Sequence, residues 1–282
     1  MKNISHYYHL AKPGMVYGNL ISILAAFFLA SKEYGFHITA LIFVILGMSF
    51  VIASACVINN YIDRDIDAKM ERTKDRSLVS GTVTGKMAIR YAMLLGLIGF
   101  LSLAIGTNVV TFLVGFAGYF SYIVLYSVAK RTTIYSTIVG SFPGAMPIVA
   151  GYTALAGKID LEVLVLFFIL VLWQIPHFYS IAIYRLKDYK SSKLKIWPVK
   201  MGILNTKWHI LSLVLAFSLS VVALFIFKYT GYIYLVLALL SCIVWFFFGV
   251  FGFFVKDSKW WARRMFFISL FVLLFVCVGM AI

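Results

Sequence analysis

The chain has 282 residues, 63% of them hydrophobic and only 12% charged, with a net charge of +15 and a mean hydropathy of +0.98. Soluble domains carry about 25% charged and about 45–50% apolar residues, so a water-soluble globule is excluded for want of polar side chains to cover it. The three cysteines, Cys56, Cys242 and Cys277, sit in apolar runs without CxxC or CxxCH spacing, which argues against a zinc site, a disulfide framework and covalently attached haem.

The opening residues, MKNISHYYHLAKPG, lack the charged-then-apolar pattern and small-residue cleavage site of a signal sequence, so the first apolar run is expected to be a permanent span. A membrane helix needs about 20 mostly apolar residues. Nine candidates follow in order, at roughly 14–31, 38–62, 88–105, 109–128, 137–156, 162–184, 208–227, 231–254 and 265–282. No polar linker divides them, so residues 1–282 are expected to form one domain. All but three of the 25 basic residues lie in the N-terminal tail or in segments after even-numbered spans; Lys32, Lys158 and Lys228 alone fall on the other face. Basic loops are retained in the cytoplasm, which predicts a cytoplasmic N-terminus and an external C-terminus; the membrane itself is expected to be of the bacterial cytoplasmic type. Topology thus accounts for the excess charge, and no nucleic-acid partner is needed. Two cytoplasmic loops are long, about 63–87 and 185–207, and long loops in compact proteins tend to be functional.

Between spans two and three, five of the ten acidic residues (Asp63, Asp65, Asp67, Glu71 and Asp75) fall within thirteen positions. They lie in NNYIDRDIDAKMERTKDR, which continues directly from an apolar span. If this segment is helical, Asn59, Asp63 and Asp67 recur every four residues and share a face, while Asp65 points elsewhere. Three oxygen-bearing side chains at a membrane boundary suit a hard cation. Mg²⁺ takes one or two carboxylates, keeps several waters and completes its shell with substrate phosphates. Arg72 and Arg76, also four apart, suit bidentate contact with phosphate oxygens. The mixture of acids and arginines fits Mg²⁺–diphosphate better than either charge alone.

The run Asn59-Asn60-x-x-Asp63-x-x-x-Asp67 resembles the first aspartate-rich motif of the UbiA superfamily of intramembrane prenyltransferases, although most members have Asp where this chain has Asn60. The fuller pattern through Arg72-Thr73 and Arg76 is similar to the haem O synthase branch of that superfamily. Trp173-Gln174-Ile175-Pro176-His177-Phe178 with Lys187-Asp188-Tyr189, Tyr126 with the basic Lys130-Arg131-Thr132, and Lys12-Pro13 agree with that branch. The resemblance covers the whole chain. It implies an all-α bundle of nine transmembrane helices around a central cavity, capped by the two long cytoplasmic loops. It also implies farnesyl diphosphate as donor, haem B as acceptor, haem O and diphosphate as products, and a terminal-oxidase assembly or other haem-modifying protein as downstream partner. On it rest the assignments of Asn59, Asp63, Asp67 and Asp188 as catalytic, with the first three on Mg²⁺. Arg72, Arg76, Lys130 and Arg131 are assigned to diphosphate and His177 to haem. Many members carry two acids at the second site, where this chain has Tyr184 and Asp188, which puts a second complete metal site in doubt. The lysines after Asp188 suit anionic lipid better than haem propionates. An aromatic or quinone acceptor, or a polytopic haem or metal transporter, are the competing functions; a transporter would place its acids nearer the bilayer midplane.

Overall fold

The computed structural model describes residues 2–282, and among them every regular element is helical. After α1 (Lys2–Leu10) the chain turns at Lys12, whose φ is 51°, into α2 (Pro13–Tyr34). Pro13 occupies the first turn, where its missing N–H leaves no hydrogen bond unmade. α3 (Ile38–Ile62) is apolar almost to its last turn, and the single turn α4 (Arg64–Asp67) follows it. α5 (Gly85–Gly106) is capped by Thr84, and α6 (Val109–Phe120) by Asn108, each accepting a first-turn backbone N–H. α6 runs through a π-helical turn at Ser121–Tyr126 into α7 (Ser127–Thr132), and the three make one span.

α8 (Ser136–Ala156) contains Pro143 and Pro147, and α9 (Leu161–Tyr184), capped by Asp160, contains Pro176. The short α10 (Leu186–Ser191) leads to α11 (Trp197–Ile226), which is broken at Gly202 (φ 82°, ψ 168°). α12 (Tyr232–Phe251) and α13 (Ser258–Ala281) complete the chain.

Among the described residues, nine helical stretches are long and apolar enough to cross a membrane, as the hydropathy pattern predicts, and the protein is a multi-pass membrane protein. The seventh and ninth begin earlier than expected, at Trp197 and Ser258 rather than near 208 and 265. In both cases the added turns carry lysine or arginine, which depresses local hydropathy; in the seventh they also include the break at Gly202. Asp257 caps the last span through the amides of Lys259 and Trp260.

With little hydrophobic drive between helices inside a bilayer, close packing depends on small residues at the crossings. α3 lies along α5 with Gly47 against Gly99; a Cβ on Gly99 would stand 2.8 Å from the Val51 nitrogen and 2.9 Å from the Gly47 carbonyl. α2 crosses α8 at Gly151, where a Cβ would sit 2.3 Å from the Ile23 carbonyl oxygen. At one end of the bundle the two long loops are joined. Ile66 and Met70 of the first pack with Ala182, Leu194 and Ile196 around the second. The Ser191 hydroxyl donates to the Lys69 carbonyl at 2.9 Å. This clasp closes one end of the space between the helices.

Candidate active site

Beneath the clasp lies a cavity of about 1120 Å³, somewhat larger than the roughly 300–1,000 Å³ typical of a pocket for one drug-sized ligand. Its wall changes character along its length. At the clasped end it carries Lys12, Asn59, Asp63, Asp67, Arg72, Arg76, Lys130 and Arg185; deeper in, it is lined by Met48, Val51, Met146, Leu170, Trp173, His177 and Phe266.

The acidic motif does not form one continuous helix. α3 stops at Ile62; Asp63 takes φ −90°, ψ 5°, and the chain resumes a single turn to Asp67. Asn59, Asp63 and Asp67 nevertheless all line the cavity and are nearly inaccessible from outside. Asn59 Nδ2 donates to Asp63 Oδ2 at 2.9 Å, and Lys130 Nζ donates to the same oxygen at 2.7 Å. Lys12 Nζ donates to Asn59 Oδ1 at 3.1 Å. Arg76 bonds Asp67 Oδ2 at 2.5 Å and Asn60 Oδ1 at 3.1 Å. The Thr73 hydroxyl donates to the Asp67 carbonyl at 2.9 Å and ties the loop back under the carboxylate. Asp65 points away, as its spacing predicts, and is more than half exposed.

These residues can be tested against a divalent cation. Asp63 Oδ1 is buried and accepts no hydrogen bond; the Arg131 guanidinium stands 3.7 Å away, so this oxygen keeps unused acceptor capacity inside a site crowded with donors. Among the described residues no three His, Cys, Asp or Glu side chains group as a ready-made metal site, so a closed zinc-type shell is not formed. Two carboxylates and an amide instead suit a cation that fills its shell with water and phosphate oxygens, and the residues present fit Mg²⁺.

The cations outnumber the acids here. Lys12, Arg72, Arg76, Lys130 and Arg185 stand against Asp63 and Asp67, a net of three positive charges in a confined space. Burial, joined by the charges of Arg76 and Lys130, pushes the Lys12 ammonium from its ordinary value down to about 8. Burial also raises the phenol of Tyr189, which lines the same end, so it stays neutral. Tyr122 and Tyr126, projecting from the π-helical turn, stack at 5.4 Å between ring centres. Both face the cavity.

Two expected placements are corrected. Arg131 lies outside the cavity lining. Its guanidinium is bidentate on Asp65 at 2.7 and 2.9 Å and also donates to the Ile62 carbonyl. Neighbouring residues on a helix point about 100° apart, so Lys130 turns into the cavity while Arg131 stays behind its wall, its Nη2 3.7 Å from Asp63 Oδ1. Arg131 thereby holds Asp65 at about 2, well below the usual carboxylate range. Asp188 is also absent from the lining: its helical turn presents Arg185 and Tyr189 to the cavity instead. Asn60, the departure from the family's usual Asp, donates to the Leu10 carbonyl at 2.9 Å and accepts from Arg76, which makes it a strut between α1, α3 and the arginine.

His177 lies deeper, 7% exposed. Its ring stacks on Trp173 at 4.6 Å with a 25° interplanar angle and meets Phe266 at 4.8 Å. Nδ1 is 2.7 Å from Ser269 Oγ, and Trp173 Nε1 donates to the Ser269 carbonyl at 2.7 Å. The sequence gives no role to Lys12, Tyr122, Tyr189 or Ser269. For Lys12 a signal is present, a cation immediately before the Pro13 that starts a span, and Tyr189 belongs to the Lys187-Asp188-Tyr189 motif; Tyr122 and Ser269 have none without the tertiary contacts.

Among the described residues, nine spans enclose a cation-rich, carboxylate-bearing end and a long apolar interior, an architecture suited to an intramembrane prenyltransferase. The sequence profile of the UbiA prenyltransferase family matches residues 19–271, and the chain belongs to that family. It is 42% identical over 277 residues to a protoheme IX farnesyltransferase from Citrobacter koseri, covering 98% of this chain and 93% of that one. Among solved structures, the bundle is similar to that of digeranylgeranylglyceryl phosphate synthase (TM-score 0.79, 20% identity, 100% and 99% of the two chains covered). It is also similar to a UbiA homologue from Archaeoglobus fulgidus bound to GPP and Mg²⁺ (TM-score 0.64, 15% identity, 98% and 100% covered). At these identities the structures establish the fold.

Proposed function

We propose that the chain transfers the farnesyl group of farnesyl diphosphate to a vinyl group of haem B, with addition of water, to give haem O and diphosphate. The observation that carries this reading is a cavity with two chemically distinct ends, in a chain 42% identical to a protoheme IX farnesyltransferase along 98% of its length. An allylic diphosphate bears about three negative charges near neutral pH, and the clasped end, net positive even before a cation binds, is of the sign to receive it. Arg72, Arg76, Lys12 and Lys130 receive the diphosphate, and Asn59, Asp63 and Asp67 hold Mg²⁺. When bound, that ion supplies charge stabilisation to the departing diphosphate.

The allylic C–O bond breaks with its electron pair going to the diphosphate oxygen. The cationic side chains stabilise that developing charge because they are already oriented toward it. The prenyl chain extends along the apolar wall, where bulk water is excluded, and the stacked Tyr122 and Tyr126 present ring faces to positive charge. The vinyl carbon attacks C1 of the allyl group. Water then adds to the carbon beside the porphyrin and loses a proton, leaving the hydroxyl of the product. His177 sits among the apolar residues that would flank the macrocycle and contacts the acceptor. The excess of basic residues in the even-numbered loops supports a cytoplasmic side for the clasped end, the N-terminus and the diphosphate site, within a single membrane domain over residues 1–282.

The test is mass spectrometry of haem extracted after incubation of purified protein with haem B, farnesyl diphosphate and Mg²⁺. A gain of one farnesyl plus one water is expected. Consumption of farnesyl diphosphate with unaltered haem would assign another acceptor.

A further inference from the structure

We propose that Ser269, on the last span, is a positioning residue that fixes the tautomer of His177, so that its bare Nε2 serves as an axial donor to the iron of the haem substrate. The inference rests on haem being the acceptor, as proposed above.

The hydrogen bonds leave one consistent assignment. A serine hydroxyl has a single proton. Ser269 Oγ lies 2.6 Å from the Phe266 carbonyl oxygen, which can only accept, so the proton points there. The reverse arrangement would set two acceptor oxygens against each other at that distance. His177 Nδ1, 2.7 Å from the same Oγ, must then be the donor. The imidazole proton is on Nδ1, and Nε2 carries a lone pair. The ring is enclosed by Trp173, Phe178 and Phe266. Among the described residues no carboxylate hydrogen-bonds it, so a second proton on Nε2 would be a buried charge without a partner. Ser269 also sets the plane of the ring, because its carbonyl anchors the Trp173 indole on which the imidazole stacks.

His177 lines the cavity. A neutral imidazole that donates from one nitrogen to a fixed oxygen is both oriented and made more basic at the other, the arrangement found behind metal-bound histidines. Loss of such a supporting hydrogen bond weakens metal binding by about 10–100-fold.

The experiment uses the full chain in detergent, with haem B as one probe and a non-hydrolysable farnesyl diphosphate analogue with Mg²⁺ as the other. Absorption titration gives haem affinity, and resonance Raman of the ferrous complex reads the iron–imidazole stretch. His177→Ala is expected to abolish that band. Ser269→Ala should lower haem affinity about 10–100-fold and shift or split the band, with analogue binding unchanged. Ser269→Thr, which keeps the hydroxyl, should restore both. A wild-type band and affinity in Ser269→Ala would overturn the role of Ser269 while leaving haem as acceptor. Equal impairment of the Ala and Thr variants, or loss of analogue binding with either, would reduce Ser269 to packing. A wild-type complex without an iron–imidazole band would overturn ligation itself, and wild-type protein that binds no haem would remove the acceptor assignment as well.

Discussion

Replacement of Asp63 by asparagine should separate stability from catalysis. In the site, Asp63 Oδ2 accepts from Lys130 and Asn59, and the exposures of the Asp63 and Lys130 side chains are 2% and 16%. Asparagine keeps the shape and one acceptor oxygen but removes the charge, leaving Lys130 without its counter-ion. Breaking one side of a buried ion pair costs about 3–5 kcal/mol. The lower figure applies, because the amide oxygen still accepts from Lys130. At about 2–4 °C per kcal/mol for a chain of this order of size, Tm should fall by roughly 6–12 °C. Asp63→Asn/Lys130→Met removes both charges, and most of that loss should return. Activity should not return with it. Asp63 Oδ1 accepts no hydrogen bond and has only the Arg131 guanidinium near it, at 3.7 Å, so it is the oxygen assigned to the cation, and loss of one preorganised electrostatic contact costs about 10²–10³ in rate. Tm is measured by tryptophan fluorescence in detergent and kcat/KM by quantifying prenylated haem. If Asp63→Asn stays within tenfold of wild type in kcat/KM, or if the double variant regains activity along with Tm, the cation-site reasoning fails.

The pair Lys130→Met and Arg131→Met tests the split between two adjacent cations: binding of a farnesyl diphosphate analogue should weaken about tenfold or more in the first and remain within about threefold in the second, since a charged hydrogen bond is worth about 1.5–3 kcal/mol. Gly151→Ala sets a methyl against the Ile23 carbonyl, a backbone atom that cannot rotate aside, and should cost about 1–3 kcal/mol as overpacking, read as a lower Tm. The depressed Asp65 carboxyl contributes stability above its unfolded value of about 3.9 and loses it as pH falls through about 2. The Tm difference between wild type and Asp65→Asn should therefore be flat from roughly pH 8 to 5 and vanish near pH 2. It should be small, because the side chain is 55% exposed; a difference that grows with acidification would contradict the pairing.

What the sequence makes legible follows from which forces act locally. The spans are written in continuous apolar runs, which a bilayer converts into helices with little choice. The i, i+4 spacing of Asn59 and Asp63 aligns them even though the helix ends between them, because Asp63 departs only modestly from helical geometry. Asp67 reaches the same wall by one further turn. The choice between Lys130 and Arg131 is not local: it depends on where Asp63 and Asp65, more than sixty residues earlier, come to rest. Lys12 is likewise 47 positions from the Asn59 it touches. For Asp188, a matching motif sits on a six-residue helix whose rotation is set by its clasp with the other loop. Ser269 gives no pattern at all, since one serine in a span is ordinary until its neighbours are known.

The π-helical turn at Ser121–Tyr126 has an angular consequence for everything after it. Such a turn absorbs one residue beyond what a plain α-helix would use over the same rise. Wound as an ordinary helix, the same stretch would advance the following residues by about 100°, and the direction now taken by Lys130 would pass to Ala129. A methyl would then face Asp63 where an ammonium does. One residue of slack, placed a turn upstream, decides the phase at which charge arrives.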